Sequence, residues 1–233
     1  MKKLTCSFLM LMSILSIPGT VLAQSKETRD VRGFTEVSFG VSGDLFLKIG
    51  SDFRLEIEGD RDVIDDIETI VSGDRLTIRK ENWRFSLNDE RVTIHLTMPS
   101  LEGVGVSGSG KVQIMDPVKA SELNLSVSGS GKLYTERLEV GELDCSISGS
   151  GNINLGSEGS IEEGEISISG SGNFNGDQIK IGELSVSISG SGNCRCSVGE
   201  KLDAQVSGSG NVTYSGNPRI NARVSGSGHV RSN

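Results

Sequence analysis

Four glutamates, Glu122, Glu142, Glu163 and Glu183, recur at steps of 20, 21 and 20 residues and form the most regular titratable set in the chain. Carboxylates stacked at regular intervals are the ligand type that divalent cations prefer, so a cation-binding column is the sharpest chemistry this spacing offers. The same pattern also describes a solvated acidic face, and Lys201 and Arg219 continue the position with the opposite charge. Cys194-Arg195-Cys196 has the look of a metal or redox pair, yet both cysteines fall on the apolar parity of their segment. Cys145 is about 10 Å away if successive repeats stack, beyond disulfide reach. Buried free thiols acting as small hydrophobes fit better. The two histidines, His95 and His229, carry no motif, and no histidine–carboxylate pair frames any serine, so a hydrolase triad has no support. The residues nominate no catalytic group and no cofactor site.

The elements that position these residues follow from a repeat. The tetrapeptide Ser-Gly-Ser-Gly begins at Ser107, Ser128, Ser148, Ser169, Ser189, Ser207 and Ser225, at steps of 21, 20, 21, 20, 18 and 18 residues. Before it stand alternating apolar residues such as Leu123-x-Leu125-x-Val127 and Leu184-x-Val186-x-Ile188; beyond it come Val112, Leu133, Ile153, Phe174, Cys194, Val212 and Val230. A period of two means strands with one buried face. A repeat of about 20 residues cannot bury its apolar side alone and must stack, which predicts an all-β, right-handed parallel β-helix (a β-solenoid). Like residues then pile into files, with Val127, Ile147, Ile168 and Ile188 sharing one interior file.

Fourteen of the 31 glycines belong to these tetrapeptides: Gly108, Gly110, Gly129, Gly131, Gly149, Gly151, Gly170, Gly172, Gly190, Gly192, Gly208, Gly210, Gly226 and Gly228. Their expected role is structural, either facing inward where the opposite wall approaches or bending the chain at positive φ. The intervening residues face out, so Asn152, Asn173, Asn193 and Asn211 should form an external amide ladder beside stacked serines.

Residues 24–105 lack the tetrapeptide but show alternating runs at Leu45-x-Leu47-x-Ile49, Leu55-x-Ile57, Leu76-x-Ile78 and Val92-x-Ile94-x-Leu96. Val41-Ser42-Gly43-Asp44 and Val71-Ser72-Gly73-Asp74 look like degenerate forms of the same turn. Val63, Ile64, Ile67 and Ile70 predict a helical turn over 62–70. Phe34, Phe39, Phe46, Phe53, Trp83 and Phe85 predict a bulkier cap over one end.

Lys2 and Lys3, the apolar run Leu4 to Ile17 and Val21-Leu22-Ala23 read as an export signal over 1–23, which leaves 24–233 as one β-helix domain. Removing two lysines gives a mature charge of 21 − 31 = −10. That balance argues against nucleic acid and anionic lipid as partners, and no second span predicts membrane insertion.

Arg32-Gly33-Phe34-Thr35-Glu36-Val37, Leu76-Thr77-Ile78, Val92-x-Ile94-x-Leu96-x-Met98-Pro99-x-Leu101 and the Ser-Gly-Ser-Gly rungs together resemble the putative auto-transporter adhesin, head GIN domain family. The resemblance implies a pectin-lyase-like shape without the lyase catalytic residues, export in Bacteroidetes-type bacteria and a role in cell adhesion. The expectation is therefore a non-enzymatic protein of the periplasm or cell surface, with polar faces that meet a protein or glycan. The alternatives are a polysaccharide-active enzyme of lyase-like shape and a periplasmic envelope protein. An uncapped carboxy-terminal rung also predicts a homo-oligomer through the β-helix end.

Overall fold

A computed structural model describes residues 25–81 and 91–233. The predicted signal segment, Trp83 and Phe85 lie outside the described residues. The first part of the chain holds β1 Ser25–Arg29, β2 Glu36–Gly40, β3 Gly43–Ile49, β4 Arg54–Gly59, α1 Arg61–Asp65, β5 Ile67–Ser72, β6 Arg75–Lys80 and β7 Val92–Met98. The middle holds β8 Gly103–Gly108, β9 Lys111–Ile114, β10 Val118–Gly129, β11 Lys132–Thr135, β12 Arg137–Gly149 and β13 Asn152–Asn154. The last part holds β14 Glu158–Gly170, β15 Asn173–Gly190, β16 Asn193–Gly208, β17 Asn211–Ser215, β18 Arg219–Gly226 and β19 His229–Ser232.

From β8 onward these strands build a β-solenoid in which each rung pairs in parallel with the rung before and after it. The first wall stacks β8, β10, β12, β14, β15, β16 and β18, with Val127, Ile147, Ile168, Ile188, Val206 and Val224 in one file. Val127 through Ile188 are at most 2% exposed, so the predicted interior file is present. The second wall stacks β9, β11, β13 and the starts of β15 and β16, then β17 and β19. A short third wall aligns Ala120, Val140, Ile161, Ile181 and Val198.

The third wall absorbs the change in repeat length. Between β15 and β16 the register jumps from Gly176↔Cys196 to Lys180↔Ser197, leaving Asp177 to Ile179 unmatched. It then gains one residue on β16, between Ile181↔Val198 and Glu183↔Lys201. Three lost and one gained turn a step of 20 into one of 18, while the first two walls stay in register.

The tetrapeptide is the corner between the first and second walls, and its two glycines do different jobs. Gly149 ends its strand at φ +112, and a Cβ there would sit 2.6 Å from the Gly129 carbonyl oxygen of the previous rung. Gly151 is buried, and a Cβ there would meet both the Gly131 carbonyl oxygen at 2.8 Å and the Val127 side chain. One glycine supplies a left-handed bend; the other leaves room for the apolar file beneath it. Both carbonyls continue the ladder round the corner, Gly129 accepting from Ser150 N–H at 2.8 Å and Gly131 from Asn152 N–H at 3.0 Å.

The amino-terminal end departs from simple succession. The β2–β3 rung lies between β6–β7 on one side and β8–β9 on the other, so chain order and axial order differ. After β3 the chain runs out to the end of the solenoid and returns. β4 pairs antiparallel with β7, β1 antiparallel with β4, and β5 antiparallel with β6. Phe34 and Phe53 pack at 4.8 Å within this end, and Phe39 is fully buried.

Three local expectations are corrected here. The helical turn stops at Asp65, and Ile67–Ser72 is strand, because β-branched Ile67, Thr69, Ile70 and Val71 favour extended backbone over a helix too short to nucleate. Val41-Ser42 does form a corner, with Ser42 Oγ 3.3 Å from Ser109 Oγ, but Gly73-Asp74 is the two-residue turn of the β5–β6 hairpin. Phe46 is not part of the cap; alternation turns it to the outer face of the second wall, where it stacks on His95 at 5.4 Å.

Gly149→Val should lower stability by at least about 2 kcal/mol through strain and overpacking, whereas Ser150→Ala should stay within about 0.5 kcal/mol. Chemical denaturation of both variants checks this, and equal losses would contradict the corner geometry.

Candidate functional site

The outer faces of the first two walls carry different chemistry. On the first, Glu122, Glu142, Glu163 and Glu183 stack in register and continue to Lys201 and Arg219, as the spacing predicts. The neighbouring file runs Asn124, Asp144, Glu165, Ser185 and Asp203. Glu142, Glu163, Glu165, Glu183, Lys201 and Asp203 line a shallow acidic groove. Among the described residues, however, no three His, Cys, Asp or Glu side chains converge in a way that could hold a metal. The stack is tied instead to its neighbours: Asn124 Nδ2 donates to Glu122 at 3.0 Å, and Lys201 Nζ lies 3.9 Å from Glu183 and 2.7 Å from Asp203.

On the second wall, two outward files run side by side. One passes through Lys111, Lys132, Asn152, Asn173, Asn193, Asn211 and His229. The other passes through Gln113, Tyr134, Asn154, Asn175, Arg195, Thr213 and Arg231. Neither file contains an acid from Lys111 onward. The asparagine ladder is hydrogen-bonded: Asn173 donates to Asn152 at 2.9 Å, Asn193 to Asn173 at 2.9 Å and Asn211 to Asn193 at 3.0 Å. Each interior amide thereby spends one N–H and one lone pair on the ladder and keeps one N–H free to point outward. Asn173, Asn175, Asn193, Arg195, Asn211, Thr213, His229 and Arg231 line a groove along this face. Neither arginine is ion-paired to another described residue. Asn175 Oδ1 has no hydrogen-bond partner among the described residues. Higher on the wall, Lys111 Nζ sits 5.3 Å from the Tyr134 ring centroid.

Sequence reasoning found the asparagine ladder but missed Arg195, Thr213 and Arg231 as neighbours of that ladder. The signal was available. They stand two residues after Asn193, Asn211 and His229, on the same outward parity.

Among the described residues, surface ion pairs hold several carboxyls and lysines in their charged states. The Lys26 ammonium holds the Glu58 carboxyl below its usual range, Arg54 does so for Glu56, Lys119 for Glu139, and Lys201 for Asp203. Lys26 and Lys201 are raised by the same partners. Each of these groups is pushed further into its charged state. The thiols are raised as well: Cys145 by burial, and Cys194 by its hydrogen bond with Cys196 and by burial. Cys145, Cys194 and Cys196 are buried and free. Phe174, Cys194 and Val212 share one interior file, which makes Cys194 an apolar filler.

The chain belongs to the family described as "Putative auto-transporter adhesin, head GIN domain", which matches residues 33–218. Three solved structures share the fold. A protein from Bacteroides fragilis, described as a putative adhesin, superposes with a TM-score of 0.85 at 23% identity, covering 90% of this chain and 97% of that one. A protein from Parabacteroides distasonis with the same description gives 0.74 at 22%, covering 90% and 97%. A second P. distasonis protein, described as a putative lipid binding protein, gives 0.73 at 21%, covering 90% and 96%. No curated protein matches the chain.

In denaturant without reductant, residues 24–233 should titrate three thiols per chain, and in native buffer their reaction should be slow because the thiolate is disfavoured. One reactive thiol in denaturant would instead mean a Cys194–Cys196 disulfide. Carboxyls whose folded pKa is depressed contribute stability above their unfolded pKa, and they lose it as pH falls through the folded value. Melting temperature should therefore hold from pH 7 to about pH 5 and drop below about pH 4. An unchanged melt at pH 3 would show that the Glu56, Glu58, Glu139 and Asp203 pairs contribute nothing.

Proposed function

We propose that this protein is a non-enzymatic adhesive module, exported to the periplasm or cell surface, that binds glycan along the amide and cation strip of the second wall. Membership of a family described as adhesins supports adhesion, and the amino-terminal sequence supports export. The observation that carries the ligand class is the acid-free strip itself, in a chain of net charge −8. Its free asparagine N–H groups repeat at the rung spacing of about 4.8 Å, and Arg195 and Arg231 flank them without an ionic partner among the described residues. Such a row suits a linear polymer of hydroxyl and carboxylate groups, because each rung adds one weak contact and affinity accumulates along the chain.

A glycan array probed with the exported protein tests this, with uronate-containing and neutral polymers side by side. Asn173→Ala combined with Arg195→Ala should lower apparent affinity at least about tenfold, as loss of about 1.4 kcal/mol of polar contacts requires. Glu142→Gln combined with Glu163→Gln on the first wall should leave binding unchanged. Binding lost through the first-wall pair and retained in the second-wall pair would overturn the assignment.

A further inference from the structure

The exposed large hydrophobic residues among the described residues fall in two pairs at opposite ends of the first wall. Ile70 (40% exposed) and Val71 (38%) lie on β5, and Ile220 (47%) and Val224 (44%) on β18. Among the described residues β5 pairs only with β6, and β18 only with β16, so each is an edge of the same wall. On β18, Ile220, Ala222 and Val224 continue the interior files, but every residue of the strand is exposed. The two ends also carry opposite charge. Residues 211–233 hold Arg219, Arg223 and Arg231 and no acid, whereas the α1–β5–β6 end, residues 60–81, holds seven acids (Asp60, Asp62, Asp65, Asp66, Glu68, Asp74 and Glu81) against Arg61, Arg75, Arg79 and Lys80.

We infer that the carboxy-terminal end of one copy docks on the amino-terminal end of the next, β18 pairing with β5 so that the first wall runs on from molecule to molecule. β5 already runs antiparallel to the strands of its own wall, so in coaxial copies the β18–β5 pair is antiparallel. With Ile220 opposite Val71, Ile220, Ala222 and Val224 stay on the core side with Val71, Thr69 and Ile67, and Ile70 stands on the outer face. Arg223 falls opposite Glu68, beside that carboxylate's partner Arg79 at 3.0 Å. Charge selects this polarity. Two carboxy-terminal ends would bring the three arginines against three, and two amino-terminal ends would oppose the acids. Because the contact joins different surfaces, it does not close on itself, and the product is a linear stack. This inference stands apart from the glycan reading, since the second-wall strip takes no part in it.

Light scattering on the exported protein should show average mass rising with concentration and falling with added salt. Val71→Lys and Val224→Lys each place a charge on one free edge and should each give monomers with unchanged melting. Mixed in equal amounts, these two variants should form a dimer and nothing larger, because each retains one competent end. Arg223→Glu and Glu68→Arg should also be monomeric alone, and both reversals in one chain should restore growth. Wild-type protein that stays monomeric at all concentrations would overturn the inference. So would dimers of Val71→Lys alone, which would mean two carboxy-terminal ends meeting.

Discussion

The corner leaves no room for a side chain on its inner side, and that constraint organises the molecule. Backbone passes over backbone there: Lys132 N–H donates to the Gly110 carbonyl, Asn152 N–H to Gly131 and Asn173 N–H to Gly151. A Cβ at Gly172 would meet the Gly151 carbonyl oxygen at 2.6 Å and the Ile147 side chain. The bulky file residue therefore occupies the volume that the glycine vacates. Since the same backbone atoms must superimpose at each level, side chains on both faces are forced into register. Apolar files inside and polar ladders outside are then two results of one geometric condition.

That condition also explains how the surface is built. A fold with rungs in register repeats whatever residue type stands at a position, so a carboxylate becomes a column and an amide becomes a ladder. On the first wall the like charges are relieved by Asn124, Lys201 and Arg219 at the column's flanks and end. On the second wall the amides bond to each other and hold their orientation without ordering cost at binding. The molecule therefore presents extended, repetitive surfaces along both walls.

Much of the repeat region was legible in the sequence, because alternation at Leu123-x-Leu125-x-Val127 and the spacing of the tetrapeptide both report local backbone geometry. The asparagine ladder was legible for the same reason. The amino-terminal end was less so. Leu55-x-Ile57 and Leu76-x-Ile78 alternate identically, yet the first lies antiparallel to its neighbour β7 and the second parallel to β2. Period two records which face is buried and nothing about strand direction. Ile64 and Ile67 fit one helical face, and the β-branched run from Ile67 together with its pairing to β6 makes Ile67 strand. The groove residues Arg195 and Arg231 were overlooked because they break the asparagine consensus, although parity alone placed them on its face.

The central claim is that equivalent residues stack along one axis at a constant rise. Pulsed electron spin resonance on pairs of labelled cysteines tests it most directly, with the native thiols replaced by alanine. Ser128 and Ser207 are four rungs apart and Ser107 and Ser225 six. Backbone separations of about 19 Å and about 29 Å follow from the rise of about 4.8 Å per rung. Narrow distributions whose centres grow in that proportion are the predicted result. Distances that fail to increase from the inner pair to the outer pair would contradict the stacked solenoid.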